Sequence, residues 1–250
     1  MSTHSNPLIT AYDAIPHLKN SDLRCPPLNC QIELSSLTCL VGPHRPQLRD
    51  YQNMLAGIAP PSQGSVEVLG QMTSDLDQTA WQQLRTDIGY ISGGALLLSV
   101  QHGLMNVMLP ALYHQQLSFR EVADKARALL GELGCDFELT TFPALLNSLQ
   151  RSRIALARAL ILDPSLLFLD VPFHDLGANE RETMGELLAS QIPHRAICMI
   201  GGLQSPQFLE QHANQIIYIS EQKIIYFDSW TSFSQTEDQD VHGLLSTLKS

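Results

Sequence analysis

The sequence predicts an α/β fold with a parallel core sheet, flanking helices, a small antiparallel β layer and a helical subdomain. Short apolar runs alternate with amphipathic helical stretches in the second half, as in RSRIALARALILDP, SLLFLD, ANERETMGELLAS and RAICMI. This alternation is typical of parallel strands joined by helices. With 250 residues, 44% of them hydrophobic, the chain is long enough for one such domain or two small ones. The pattern favours a single domain, residues 1–250.

The elements of the first half follow one another in a clear order. After 25 polar, Pro-containing residues, LNCQIEL and LTCLVG predict two strands, and a helix follows that ends near Gly57. A turn rich in Pro, Ser and Gly then leads into the Val-rich segment SVEVLG. This segment predicts an antiparallel layer beside the parallel sheet.

The middle of the chain is mostly helical in pattern, whereas the end combines a hairpin with a polar segment. Residues 75–142 are mostly helical in pattern, except for a short strand and a Gly-Gly loop in IGYISGGALLL. Residues 75–160 are therefore predicted to form the helical subdomain. A hairpin, QIIYISEQKIIYFD, precedes a polar tail at residues 229–250.

Composition excludes several classes of function. A net charge of −10 provides no broad basic field for nucleic acid or anionic lipid, so no nucleic-acid partner is expected. The apolar runs fall short of the roughly 20 residues that span a bilayer, and no signal peptide opens the chain. We therefore expect a cytoplasmic protein. The five cysteines are scattered, which predicts reduced structural thiols rather than a zinc site.

The segment LTCLVGPHRPQLRDYQNMLAG has the outline of a phosphate-binding loop. An apolar run ends at Gly42, and helical spacing then begins with Leu48, Tyr51 and Leu55. In a Walker A unit a Gly-rich turn directs backbone N–H groups at phosphates, Lys reaches the β/γ oxygens, and Ser or Thr holds Mg²⁺. The segment therefore raises the question of an ATP site.

The segment RIALARALILDPSLLFLDVPF resembles the signature helix and Walker B strand of ATP-binding cassette (ABC) transporter ATPases. Together with the strand, loop and helix around Gly42, the resemblance extends over nearly the whole chain. It implies a P-loop NTPase fold of the ABC-ATPase type. It also implies, by family only, ATP and Mg²⁺ as cofactors, a membrane permease as partner, and a dimer.

The positions matching Walker A lack the residues that bind phosphate. Leu48 replaces the Lys, whose charge-assisted bond is worth roughly 1.5–3 kcal/mol. Pro46 has no amide proton, and Arg45 and Gln47 bring Cβ atoms where the family usually has Gly. Two further positions complete the altered nucleotide site, Arg49 for Ser and Asp50 for Thr.

The other motifs depart from the family pattern as well. Val171 replaces the Walker B Glu, a general base that typically contributes about 10²–10⁴-fold, while Asp170 remains as a turn cap or at most a relic metal ligand. Gly201 or Gly202 replaces the switch His. The signature retains its first and last residues but not its centre: Leu146, Asn147, Ser148, Leu149 and Gln150. No catalytic residue, bound cofactor or metal is expected.

The stretch from Ser92 to His114 is rich in Leu and Met. In ABC subunits generally this region receives a coupling helix of the permease, so Ser92, Leu98 and Met105 are predicted to line a partner groove. Its motifs SGGAL and NVMLPALYH are similar to those of ATPases serving phospholipid-trafficking permeases of the lipid-asymmetry, or mammalian-cell-entry, class.

These observations favour a catalytically degenerate ABC subunit. It would lie on the inner face of the membrane, docked on a permease as a homodimer or paired with an intact ATPase. One alternative is an active ATPase that uses Arg45 or Arg49 in place of Lys and Asp175 as the acid. Another is a soluble regulatory protein that keeps only the fold.

Overall fold

The computed structural model describes residues 6–17, 23–114, 117–135 and 139–246. Within these residues the strands form two sheets. The strands are β1 (Ile9–Pro16), β2 (Leu28–Ile32), β3 (Leu37–Val41), β4 (Pro61–Val68), β5 (Gln71–Met72), β6 (Ile88–Ile91), β7 (Leu166–Asp170), β8 (Ala196–Ile200), β9 (Gln215–Ile219) and β10 (Ile224–Phe227). The α-helices are α1 (Arg45–Leu55), α2 (Gln78–Leu84), α3 (Gly103–His114), α4 (Phe119–Glu132), α5 (Ser148–Leu160), α6 (Ala178–Ala189), α7 (Pro206–His212), α8 (Trp230–Ser234) and α9 (Gln239–Ser246).

The larger sheet has the order β10-β9-β3-β8-β7-β6. Its strands are parallel except for β10, which pairs antiparallel with β9 at one edge. Every residue of β3, β7 and β8 is buried, as expected for strands covered on both faces. The α/β fold with a parallel core and a small antiparallel layer is thereby confirmed. Burial also raises the pKa of the Cys39 and Cys198 thiols within this sheet.

The smaller sheet has the order β2-β1-β4-β5 and is antiparallel. Strand β1 lies within the segment that the sequence presents as polar and irregular, so the strand was not predicted. Its alternation is broken where the register with β4 shifts between Tyr12 and Ile15, and Asp13 has φ +44. Such a bulge interrupts the period-2 pattern that would reveal a strand.

The helical region packs α3, α4 and α5 against one side of the larger sheet. Buried residues from the three helices and the strands form one continuous core, which includes Val107, Ala126 and Ile154. Leu104 is buried in this core too, so it does not belong to an exposed groove. No α-helix in the described ranges is both long and apolar enough to cross a membrane.

The segment predicted as a polar tail is folded. Residues 230–234 and 239–246 are the helices α8 and α9, and Phe233 and Val241 are fully buried in the main core. Lys223, in the β9–β10 turn, contacts Asp238 at 2.5 Å and Asp240 at 2.8 Å. The tail therefore contributes to the domain, although residues 247–250 lie outside the described part.

Candidate functional site

The connection between β3 and α1 is short. Strand β3 ends at Val41 and α1 begins at Arg45, with Pro in its first turn and no side-chain cap from His44. A Cβ added to Gly42 would lie 2.1 Å from the carbonyl oxygen of Ile219, so this turn is closely packed. Pro43 and Pro46 have no amide proton. The turn therefore offers fewer N–H groups than a Gly-rich phosphate loop.

Two residues in the first turn of α1 face the protein interior. Leu48 is 2% exposed and packs in the apolar cluster between α1 and the two sheets, and its amide donates to the His44 carbonyl at 3.1 Å. Gln47 is buried, and its Nε2 donates to the carbonyl of Arg24 at 2.6 Å. Tyr51 donates in the same way to the carbonyl of Pro26. Residues 24–26 thus cover the first turns of α1, and Asp50 is half-buried on the same helix.

Arg45, Arg49 and Asp170 form a cluster at the carboxyl end of β7, hereafter the arginine cluster. Nε and Nη2 of Arg45 donate to Oδ1 of Asp170 at 3.3 and 3.2 Å. Arg49 contacts Oδ2 through Nε at 2.9 Å and Nη2 at 2.7 Å. The Asp170 side chain is 2% exposed, whereas the two arginine side chains are 41% and 45% exposed. Both carboxylate oxygens are therefore already paired with cations of the same chain.

Two further side chains, Gln52 and Tyr90, hold the end of β7 on which Asp170 lies. Gln52 is buried and donates to the carbonyls of Leu169 at 3.0 Å and Cys198 at 3.1 Å, which joins β7 and β8. Tyr90 donates to Oε1 of Gln52 at 3.1 Å. Burial, and then the charge of Asp170, raise the pKa of Tyr90 to about 12, so the phenol stays protonated. These contacts fix the end of β7 that presents Asp170.

Val171 directly follows β7 and Gly201 directly follows β8, and the two residues lie side by side. Val171 has φ +47, which is strained for a β-branched residue, and its amide donates to the Ile200 carbonyl at 3.1 Å. Gly201 has φ +79, and a Cβ there would lie 2.7 Å from Cγ1 of Val171. At Gly202 a Cβ would lie 2.8 Å from Leu209. A side chain at residue 201 would have to adopt a positive φ, and one at either position would displace a neighbouring side chain.

The signature positions start helix α5. Asn147 is its N-cap: the Asn147 side chain accepts from the Gln150 amide at 2.8 Å, and Gln150 Oε1 accepts from the Asn147 amide at 3.0 Å. Leu146 is buried, and Leu149 packs half-buried against the main core. Ser148 accepts a bond from Arg151 at 3.2 Å. These residues have a structural role as a helix cap.

Residues 92–102, here called the apolar loop, connect β6 to α3. Leu96, Leu98 and Val100 are exposed, whereas Ser92 is half-buried and Met105, on α3, packs half-buried against the core. Of the three predicted groove residues, only Leu98 therefore presents an exposed apolar side chain. His102 makes an edge-on ring contact with Phe142, with 6.4 Å between the ring centroids. The ring of Phe142 is exposed, so it extends the apolar surface of the loop.

The structure brings some predicted site residues together and separates others. Arg45, Arg49 and Asp170 meet, while Leu48 and Gln47 turn away from them. Sequence reasoning did not foresee this meeting, nor the supporting roles of Gln52 and Tyr90. The i, i+4 spacing of the arginines places them on one helix face, but it does not indicate what they contact. Among the described residues, no three His, Cys, Asp or Glu side chains are grouped as in a metal site.

Comparison with known proteins identifies relatives by sequence. A family model described as "ABC transporter" matches residues 51–174. The ABC transporter ATP-binding protein YbbA of Escherichia coli K12, itself described as uncharacterized, is 35% identical over 138 residues, 55% of this chain and 60% of YbbA. The lipoprotein-releasing system ATP-binding protein LolD of Chromohalobacter salexigens is 33% identical over 55% of this chain and 56% of its own. The chain thus spans little more than half the length of these relatives.

Comparison with solved structures gives the same fold. The bacterial ABC transporter cassette MJ0796, solved as a dimer, superposes with a TM-score of 0.75 over 87% of this chain and 97% of its own, at 20% identity. The cbiO1 protein of Clostridium perfringens superposes with a TM-score of 0.77 over 92% of each chain, at 17% identity.

Proposed function

We propose that this chain is an ATP-binding domain of the ABC transporter family, which the family model over residues 51–174 and the 35% identity to YbbA support, and that it is a catalytically degenerate subunit. It docks on a membrane permease and supports or regulates transport without hydrolysing ATP itself. The observation that carries this proposal is the arginine cluster, in which both oxygens of Asp170 are held by Arg45 and Arg49.

The cluster does not fit the metal that the family implies. Mg²⁺ takes oxygen ligands in near-ideal octahedral geometry, and a Walker B carboxylate supports it from the protein side. Here an incoming Mg²⁺ would have to displace two guanidinium groups from a 2% exposed carboxylate, at the cost of their charge-assisted bonds. The residues present therefore do not support metal–nucleotide binding at this position.

The neighbouring positions support the same proposal. Leu48 is buried in an apolar cluster, so no cation reaches the β/γ-phosphates from that position. Val171 cannot act as a general base, and a side chain at residue 201 would need a positive φ and would displace Val171. The family match begins at Tyr51 and leaves out the whole turn from Gly42 to Asp50. The matched family pattern thus covers residues 51–174 and does not include the segment that would bind phosphate.

The partner, location and substrate of the proposed subunit follow from its exposed surface and its relatives. The apolar loop presents three exposed aliphatic side chains, as expected of a partner site. We assign it to a permease at the cytoplasmic face of the inner membrane, with the chain acting as a homodimer or beside an intact ATPase. Transport of lipid-like substrates is favoured by the motifs after Ser92 and by the lipoprotein-releasing relative LolD.

The alternative of an active ATPase with displaced residues has no structural observation in its favour. Arg45 and Arg49 are both engaged by Asp170, so neither replaces the Lys. Asp175, the alternative acid, lies on the surface, 3.5 Å from Nε2 of His174. A regulatory protein that has left the transporter would have no need for the exposed apolar loop.

The first test is nucleotide binding. Ligand at a hundredfold excess over Kd stabilises the folded state by about 2.7 kcal/mol, which corresponds to a rise in Tm of roughly 5–10 °C for a chain of this size. We expect millimolar ATP–Mg²⁺ to shift the thermal unfolding midpoint of this protein by less than about 1 °C. An ABC ATPase with an intact Walker A Lys provides the positive control. A clear shift that Asp170→Asn abolishes would overturn the proposal.

The second test concerns docking. Leu98→Glu places a charge on a side chain that is 49% exposed, so it should release the protein from membrane fractions without unfolding it. Leu34→Glu is the matched control, because Leu34 is 47% exposed in the turn after β2, away from the apolar loop. Met105→Glu is less informative, since this half-buried side chain also packs against the core. Equal membrane association of the Leu98 and Leu34 variants, measured by co-sedimentation, would place the docking site elsewhere.

A further inference from the structure

The arginine cluster contacts the apolar loop as well as the sheet. The amide of Gly93 donates to Oδ2 of Asp170 at 3.2 Å. A Cβ on residue 93 would lie only 2.2 Å from Nη2 of Arg45 and 2.9 Å from Oδ2 of Asp170, so the guanidinium lies directly against the backbone of the loop. One carboxylate therefore joins α1, β7 and the start of the apolar loop.

The remainder of the apolar loop is fastened by side chains of the helical region. Asn106 is fully buried; its Oδ1 accepts from the Leu98 amide at 2.7 Å, and its Nδ2 donates to the carbonyls of Leu98 at 3.1 Å and Gln101 at 2.8 Å. Arg158 donates to the Leu96 carbonyl at 2.7 Å. The loop is thus held at its beginning by the arginine cluster and at its end by α3 and α5.

We propose that Arg45, Arg49 and Asp170 act as a latch that holds the apolar loop against the parallel sheet without nucleotide. This inference rests on the proposed docking function of the loop and adds how the conformation of the loop is set. Helix α1 supplies the two arginines that bind Asp170. Asp170 in turn accepts a hydrogen bond from the backbone amide of Gly93, which connects the arginines to the loop. Because all members belong to the chain itself, the latch needs no bound ligand to fix the start of the apolar loop.

The variant that opens the latch with least damage is Gly93→Ala. The new Cβ would force the flexible Arg45 guanidinium away and would also press on Oδ2 of Asp170, which accepts the Gly93 amide. The contact of Arg49 with Asp170 would still keep that buried carboxylate paired with a cation. We expect amide hydrogen exchange at residues 93–98 to become about threefold to tenfold faster, as weakening of the one hydrogen bond from Gly93 to Asp170 predicts. Gly131→Ala is the matched control, because a Cβ at this position on α4 meets no atom within 4 Å.

Arg45→Gln provides a second route to the same result if Gly93→Ala does not fold. Unchanged exchange at residues 93–98 in either folded variant would overturn the latch. Slower exchange of these amides in the wild-type protein on addition of millimolar ATP–Mg²⁺ would also overturn it, since the loop would then depend on nucleotide. Nucleotide binding detected by thermal shift alone would contradict only the proposed function, because the exchange comparison between variants is made without ATP.

Discussion

Replacing both Arg45 and Arg49 by methionine is expected to lower the free energy of unfolding by about 3 kcal/mol, the lower end of the cost of leaving a buried charge unpaired. The change leaves the Asp170 carboxyl group 2% exposed and without a cationic partner. The lower end applies because the two arginine side chains are partly exposed and their removal opens a path for water. Urea unfolding followed by circular dichroism would measure the effect. Adding Asp170→Asn should recover most of the loss, because the charge that required the partners is gone.

The chain contains a matched control for this experiment. Arg120 and Arg127 also flank one carboxylate, that of Asp124, at 4.0 and 3.5 Å, but the Asp124 side chain is 66% exposed. Replacing both by methionine should cost no more than about 1 kcal/mol, as for other surface ion pairs. Similar losses for the two double variants would mean that the arginine cluster is an ordinary surface ion pair.

Leu48→Lys, which returns the Walker A cation, is expected to destabilise the protein by roughly 2–4 kcal/mol and to give no ATP hydrolysis. The side chain at residue 48 packs among apolar groups, so the ammonium would lose hydration or push the helix outward. Hydrolysis would still lack a general base at Val171, and residues that act as a unit are strongly non-additive. Chemical denaturation and a phosphate-release assay would measure the two parts of this prediction.

Leu48→Met separates packing from charge at the same position. A volume-conserving apolar change usually costs less than about 1.5 kcal/mol, so this variant should remain close to the wild type. If Leu48→Lys were as stable as Leu48→Met and also hydrolysed ATP, our assignment of the other motif positions would be wrong.

The larger sheet could be predicted from the sequence because its strands are short apolar runs between helices. Leu166–Asp170 and Ala196–Ile200 are buried at every position, and their mostly apolar sequences indicate buried strands without a structure. Strand β1 could not be predicted, since its bulge at Asp13 interrupts the alternation. The terminal helices were missed because a mostly polar composition hides the two residues that anchor them, Phe233 and Val241.

The position of the candidate site could be predicted from the sequence, but the contacts between its residues could not. The motif positions identified Leu48 and Asp170, and the loss of Lys was visible in the residues themselves. The pairing of Arg45 with Asp170 joins positions 125 residues apart, and no local pattern encodes such a contact. Gly93 could not be singled out either, because its importance depends on a guanidinium that arrives from another element.

The position of β3 in the larger sheet has a consequence for how the chain folds during synthesis. Its neighbours are β8 and β9, with Leu37 opposite Ile197 and Thr38 opposite Gln215. At roughly 5–20 residues per second, a ribosome needs about ten to thirty seconds to make the intervening residues. During that interval β3, which is mostly apolar, has neither of the strands that flank it in the finished sheet. The nascent chain therefore spends that time with an apolar segment whose strand partners have not yet been made.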